Sequence, residues 1–321
     1  MRRFVWTVLG AAGVLWVLAT LLSTEGESVV GSISVAEALQ GDTTGYRRAT
    51  FPASIRFPAD HGAHPEYKTE WWYFTGNLGT ESGRPFGYQF TLFRTALTPD
   101  STAGSSPWRS NQLYTAHFAV SDIEAGRFYS SERAARSAVG LAGVEVAPLR
   151  AWLEDWSLEQ VGPTGLDARL RATEGDYAID LRLTPTRQPL LHGYDGFSPK
   201  DADSTNASYY YSYTRLASEG FVVVGSDTLR VSGSTWMDHE WSTSALGPGQ
   251  VGWDWFALRL SDGTDMMYFQ VRDTVGDTPF VEGTVRGPNG EVTRLSPESV
   301  TFRATDRWES PETRIVYPSG W

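Results

Sequence analysis

The chain contains no cysteine. That removes disulfide staples, thiol nucleophiles and every zinc or iron–sulfur site built on thiolates. Positive charge is also scarce: 27 Lys plus Arg stand against 38 Asp plus Glu, a formal net charge of −11 over 321 residues. With no basic stripe to neutralise phosphates, nucleic acid is excluded as a partner. There is no Gly-x-Ser-x-Gly elbow, no phosphate-cradling glycine loop and no dinucleotide fingerprint. Long helical connectors are missing too, which disfavours parallel α/β folds, since these need a helix between successive strands.

What is present is aromatic. Trp, Tyr and Phe make up 13 % of the chain, enough for large cores or an aromatic-lined ligand cavity. Tyr177, Ile179, Leu181 and Leu183 alternate with Ala178, Asp180, Arg182 and Thr184, the period of a strand with one buried face. The expected partner strand is Leu166 to Ala172, joined through Glu174-Gly175-Asp176. Further strands are expected at 86–93, 113–123, 152–158, 209–215, 221–224, 229–241, 251–260 and 266–272. One marginal helix is expected at 131–139. Many short strands with frequent turns indicate an all-β barrel or sandwich.

The N-terminus reads differently. Arg2 and Arg3 precede 19 uncharged residues from Phe4 to Leu22, and Glu25 and Glu27 follow. A spanning helix needs about 20 apolar residues, and the charge bias places the remainder outside the cytoplasm. Residues 1–22 are therefore expected to be a signal anchor or signal peptide that ties the protein to the membrane. Residues 23–45 are the expected linker, and the folded part an extracytoplasmic, cell-envelope protein.

Two clusters could carry chemistry. The first, Asp60, His61, His64, Glu66 and Glu70, invites a zinc or iron reading, since imidazole and carboxylate are suitable ligands. Against it, Gly62 and Pro65 place the histidines in a loop, where such groups satisfy backbone and one another. In the second cluster, His239 falls in register with Thr235, Met237 and Trp241 along an expected strand, pointing into a barrel interior. Asp254 shares a face with Phe256 and Leu258, while Trp253 and Trp255 take the other. A desolvated Asp254 beside His239 would form an acid–base pair for a greasy substrate. The alternative is that both are buried polar groups tied into the sheet. Trp253, Trp255, Tyr211, His117 and Trp72 are the candidates for the ligand wall; each suits a plain core equally well.

The motifs Phe57-Pro58-Ala59-Asp60-His61-Gly62-x-His64-Pro65, Glu70-Trp71-Trp72-Tyr73-Phe74-Thr75-Gly76-Asn77-Leu78, Met237-Asp238-His239-Glu240-Trp241-Ser242 and Gly252-Trp253-Asp254-Trp255-Phe256 resemble the AttH/CrtC-type lipocalin-like family. That group includes carotenoid 1,2-hydratases (hydroxyneurosporene synthases) and many secreted proteins assigned as hydrolases. The resemblance spans about residues 50–321. It implies two consecutive lipocalin-like β-barrels, 46–243 and an incomplete 244–321. It also implies a hydro-lyase whose catalytic residues correspond to His239, Trp241 and Asp254. The family's catalytic Tyr has no counterpart, because Gly252 and Trp253 precede Asp254. In such a site Asp254 would protonate an alkene, aromatic faces would shelter the cation and His239 would activate water, with no cofactor and no metal. Three functions compete: this hydratase acting on an isoprenoid or lipid, a non-catalytic carrier serving an ABC-type transporter, and a metal-dependent hydrolase built on His61 and His64.

Overall fold

The computed structural model describes residues 42–99, 106, 108–163, 166–243, 246–247, 249–273, 280–296, 298–311 and 313–321. The expected membrane segment 1–22 and residues 23–41 of the linker lie outside the described residues.

Thirteen strands build one antiparallel sheet: β1 (Thr69–Thr80), β2 (Pro85–Ala96), β3 (Gln112–Asp122), β4 (Arg127–Arg136), β5 (Ala142–Val146), β6 (Leu149–Leu153), β7 (Trp156–Gln160), β8 (Ala168–Glu174), β9 (Tyr177–Pro185), β10 (Leu190–Leu191), β11 (Phe197–Pro199), β12 (Ala207–Val224) and β13 (Asp227–Ser242). The order is β4-β3-β2-β1-β13-β12-β9-β8-β7-β6-β5, with β10 and β11 pairing β12. It curls into a nearly closed barrel. Side chains carry the closure: Arg133 of β4 bonds Asp155, Glu154 and Glu174 and lies over the Trp156 ring, while Tyr177 of β9 donates to Ser131 of β4.

The fold is all-β, as the alternation requires. Inward residues such as Trp72, Phe74, Leu92, Phe118, Leu170, Leu181 and Tyr211 merge into a single core, because period-2 alternation gives every strand one apolar face. The helix expected at 131–139 is instead the end of β4 and a 3-10 turn, Ala138–Gly140; pairing with β3 overrides the local helical preference of Ala134 and Ala135. The strand expected at 152–158 is a hairpin, turning at Glu154 (φ 58°) and Asp155 so that Trp156 re-enters the core. Residues 209–215 and 221–224 join in one long strand with an irregularity between Tyr213 and Leu216.

A second antiparallel sheet holds β14 (Gln250–Arg259), β15 (Asp265–Asp273), β16 (Phe280–Arg286) and β17 (Val292–Leu295); β18 (Arg307–Glu309) and β19 (Val316–Pro318) form a hairpin. Trp236 and Tyr210 on the outer face of the barrel wall pack with Met267, Phe269, Val271 and Trp255 of the second sheet. From Thr235 to Ser242, consequently, every residue of β13 is buried. Met237, His239 and Trp241 face the barrel, whereas Trp236, Asp238 and Glu240 face the second sheet.

Candidate functional site

The segment from residue 51 to 67 crosses the barrel wall where β1, β13 and β12 lie side by side. Its 3-10 turn, Ala59–His61, hangs from the Trp72 indole, whose N–H donates to the His61 carbonyl at 3.0 Å. Gly62 is required there: a Cβ at that position would come within 2.1 Å of the Val146 methyl at the β5–β6 tip. Register pairing sets Trp72 opposite His239 and His239 opposite Tyr211. Three strands and the loop thus deliver Asp60, His61, His64, Glu70, Tyr211 and His239 to one place.

Glu70 is the hub. Its Oε1 accepts from His64 Nδ1 (2.7 Å) and His239 Nε2 (2.9 Å); its Oε2 accepts from the His64 amide (2.8 Å) and Arg94 Nε (2.8 Å). Arg94, itself buried, also donates to the carbonyls of His64 and Tyr67 and to Gln112. Burial alone would raise the Glu70 carboxyl. The Arg94 guanidinium and the two imidazole donors more than reverse this and hold it well below the usual carboxylate range.

The three histidines differ. Burial pulls His64 down, but hydrogen bonds to Asp60 (3.2 Å) and Glu70 push it up to about 9, so it is an imidazolium with both N–H groups on carboxylates. Trp241 lies flat on that ring, centroids 3.9 Å apart at 3°, where an aromatic face favours a cation. Burial lowers His61 to about 4, with His239 adding to the effect. Burial also lowers His239, against the pull of Glu70. Neutral His239 must keep its proton on Nε2 to donate to ionised Glu70, which leaves Nδ1 to accept the Tyr211 hydroxyl at 3.0 Å. Tyr211 in turn accepts from His61 Nδ1 at 2.7 Å. Its hydroxyl also lies 3.3 Å from the Asp60 carbonyl.

Of the residues singled out in the sequence, His239, Trp241, Trp72 and Tyr211 meet here, Trp72 stacking on His239 at 4.6 Å. Asp254 does not. It sits on β14, where Gln270 Nε2 donates to it at 3.0 Å and Arg272 lies 3.7 Å away. Phe256, on the same face, stacks on Phe302 and meets Trp321 edge-on, so this face of the second sheet turns away from β13. The expected Asp254–His239 pair is therefore corrected: alternation assigned Asp254 to the right strand face but not that face to the right side of the molecule. The carboxylate on His239 is Glu70. Trp253 is exposed rather than lining a site, and Trp255 packs on Trp236 between the sheets. His117 points outward to Glu132 at 3.3 Å.

Among the described residues, His64, Glu70 and His239 bring donor atoms within 4.8 Å of one another, close enough for a metal. The donor set does not suit one. Both His64 nitrogens carry protons directed at carboxylates, and Glu70 is already matched by Arg94. His61, the ligand expected of a hydrolase, is engaged with Tyr211 instead.

The sequence profile of AttH-like proteins matches residues 48–321. The chain belongs to the AttH-like family. A crystal structure of an AttH protein from Nitrosomonas europaea is 32 % identical, covers 85 % of this chain and 82 % of its own, and superposes with a TM-score of 0.74. Kievitone hydratase from Nectria haematococca, at 14 % identity, shares the fold over 85 % of this chain and 77 % of its own, with a TM-score of 0.64. No curated protein matches the chain. In this AttH-like protein Asp60, His61, His64 and Glu70, which the sequence offers either as metal ligands or as loop groups satisfying one another, form half of the candidate site. Arg94 carries no mark in the sequence, since a lone Arg in an alternating strand gives no signal of its partner.

Proposed function

We propose that this AttH-like protein is a cofactor-free acid–base catalyst of the hydratase type, acting on an apolar alkene-bearing molecule such as an isoprenoid or lipid. One observation carries the reading: a neutral imidazole, His239, is held between an ionised carboxylate and a phenol with no exposure to water, against Trp72 and beside Trp241. Hydration of an alkene needs a group that moves a proton and a wall that tolerates a carbocation. A fixed imidazole supplies the first and indole faces supply the second. The hydratase among the fold neighbours is consistent with this chemistry on such a scaffold. We further read the protein as extracytoplasmic and held at the membrane by residues 4–22, on the charge bias around that run.

Incubating the purified protein with the acyclic carotenoid lycopene in ¹⁸O-labelled water tests the chemistry. The expected result is a product bearing one labelled hydroxyl, with its rate lowered about 100-fold or more in His239→Gln. Lycopene retention without label incorporation would instead select the carrier reading, in which the protein serves a transporter. One observation favours that second reading: Glu70 accepts four hydrogen bonds and is complete without any substrate.

A further inference from the structure

His61 and His239 do not touch, yet one phenol joins them. His61 Nδ1–H donates to Tyr211 (2.7 Å), the Tyr211 hydroxyl donates to His239 Nδ1 (3.0 Å), and His239 Nε2–H donates to Glu70 (2.9 Å). With His239 neutral and its proton on Nε2, every donor in this series points the same way, and the Asp60 carbonyl, 3.3 Å from the Tyr211 hydroxyl, is the competing acceptor for the phenol proton. At the far end, His61 Nε2 faces the hydroxyl of Tyr213, a member of the barrel core, at 3.4 Å, the longest contact of the series. On the loop side the half-exposed Phe57 ring covers the chain of groups, stacked on His61 at 4.7 Å and edge-on to Tyr211 at 4.9 Å.

We propose that His61, Tyr211 and His239 form a proton relay, with His61 Nε2 as the end that exchanges protons with substrate and Glu70 as the carboxylate that holds the charge at the other end. This rests on the acid–base reading above and names the residues that carry the proton. When His61 Nε2 takes a proton from an attacking water, its Nδ1–H bond breaks and that proton passes to the Tyr211 oxygen. The original Tyr211 O–H proton passes to His239 Nδ1. The result is a neutral His61 with its proton on Nε2, a neutral Tyr211, and a His239 imidazolium paired with Glu70: one proton gained, one positive charge, placed beside the only carboxylate in the series. Run in reverse from this protonated state, which takes its proton from solvent before substrate binds, the passage delivers a proton to the alkene, and the water that then attacks the cation returns one, so the cycle closes with no net change in protons.

The physical reason for a relay is the contrast between its ends. His61 is 1 % exposed, and no carboxylate is bonded to its ring, so a charge left there is poorly supported. His239 is equally dry but has Glu70 at 2.9 Å. Glu70 is not required to become protonated; it fixes the tautomer of His239 and supports its charge, the part a carboxylate plays behind a catalytic histidine. Tyr211 is a neutral link that can accept and donate at once.

The test combines a spectroscopic and a kinetic reading on the full chain. Imidazole ¹⁵N shifts in the wild type should show neutral His61 protonated on Nδ1 and neutral His239 protonated on Nε2. In Tyr211→Phe the two rings should titrate independently, and lycopene hydration should fall about 100-fold in kcat with KM nearly unchanged. His61→Asn, at the end of the series, should show the same kinetic loss and serves where Tyr211→Phe does not fold. A wild-type His61 protonated on Nε2, or full turnover in Tyr211→Phe, would overturn the relay. The expected tautomers in a wild type inert towards lycopene would uphold the relay and count against the hydratase reading alone.

Discussion

The strands β12 and β13 carry buried polar groups on both faces, and adjacent residues meet opposite fates. On the barrel side, Tyr211 and His239 connect to Glu70, whose charge is matched by Arg94 and His64. On the other side, one residue along each strand, Ser212 and Asp238 face the second sheet. There Asp238 Oδ1 accepts from Ser212, from Tyr210 (3.0 Å) and from Trp236 Nε1 (2.8 Å), all neutral donors. The nearby cation, Lys200, is committed to Glu240 at 2.7 Å. Burial therefore dominates and pushes the Asp238 carboxyl up to about 7; Glu282 of β16, equally buried, is also pushed up to about 7. His192, bonded to Ser212 through Nε2 at 2.7 Å, has no partner for Nδ1 among the described residues. A buried carboxyl keeps its charge where a buried guanidinium bonds it closely, as Arg94 bonds Glu70 at 2.8 Å, and tends to lose it where its donors are hydroxyls and indoles, as at Asp238, or where a part-exposed Arg294 stands off at 3.5 Å, as at Glu282.

The largest effect should come from removing that guanidinium. Arg94→Met strands the Glu70 charge and should cost about 3–5 kcal/mol, the usual penalty for breaking a buried pair, read from urea unfolding. Asp238→Asn, which removes a carboxyl that is already half-protonated near pH 7, should cost clearly less. Equal costs would break the comparison.

The pH dependence of stability should separate the two faces. A carboxyl raised on folding, like Asp238, binds its proton more tightly folded than unfolded. Its stabilisation is complete below the unfolded value near 4 and is lost as pH rises to about 7. His64, raised to about 9, contributes fully below its unfolded value near 6.5 and loses that contribution as pH climbs through 9. His61, lowered to about 4, works the opposite way, its contribution fading as pH falls from 6.5. Unfolding curves across pH should show Asp238→Asn flattening the decline between about 4 and 7, and His64→Gln flattening it between about 6.5 and 9. A variant that flattens the other window would reverse the assignment.

The smallest effect is expected at Asp254. Its partners are Gln270 and the half-exposed Arg272, so Asp254→Asn should change stability by less than about 1 kcal/mol and, on the hydratase proposal, leave turnover of lycopene unchanged. A collapse of turnover would return Asp254 to the site.

Much of this architecture was legible before any coordinates. Alternation located the strands, and the apolar stripe through Met237, His239 and Trp241 pointed His239 inward, because side-chain direction repeats every two residues. What alternation cannot carry is which distant strand lies alongside. Glu70 and His239 are 169 residues apart in sequence, and only the β1–β13 ladder makes them neighbours. The loop histidines were discounted for the same reason: Pro65 and Gly62 announce a turn, but not that the turn lies over Trp72 and Tyr211. Asp238 and Glu240 alternate onto the other face of β13, the side a single sheet would leave wet; here a second sheet covers it.

The tight seat of Gly62 against Val146 has a consequence for how this protein tolerates variation. His61 and His64 flank that glycine, and each reaches a different partner across the wall, the first Tyr211 and the second Glu70. Adding one methyl group at position 62 would lift the turn as a unit and loosen both attachments together. The hairpin tip that carries Val146 is thus a remote gauge of the distance between loop and barrel, and a change there would be felt at two imidazoles it never meets.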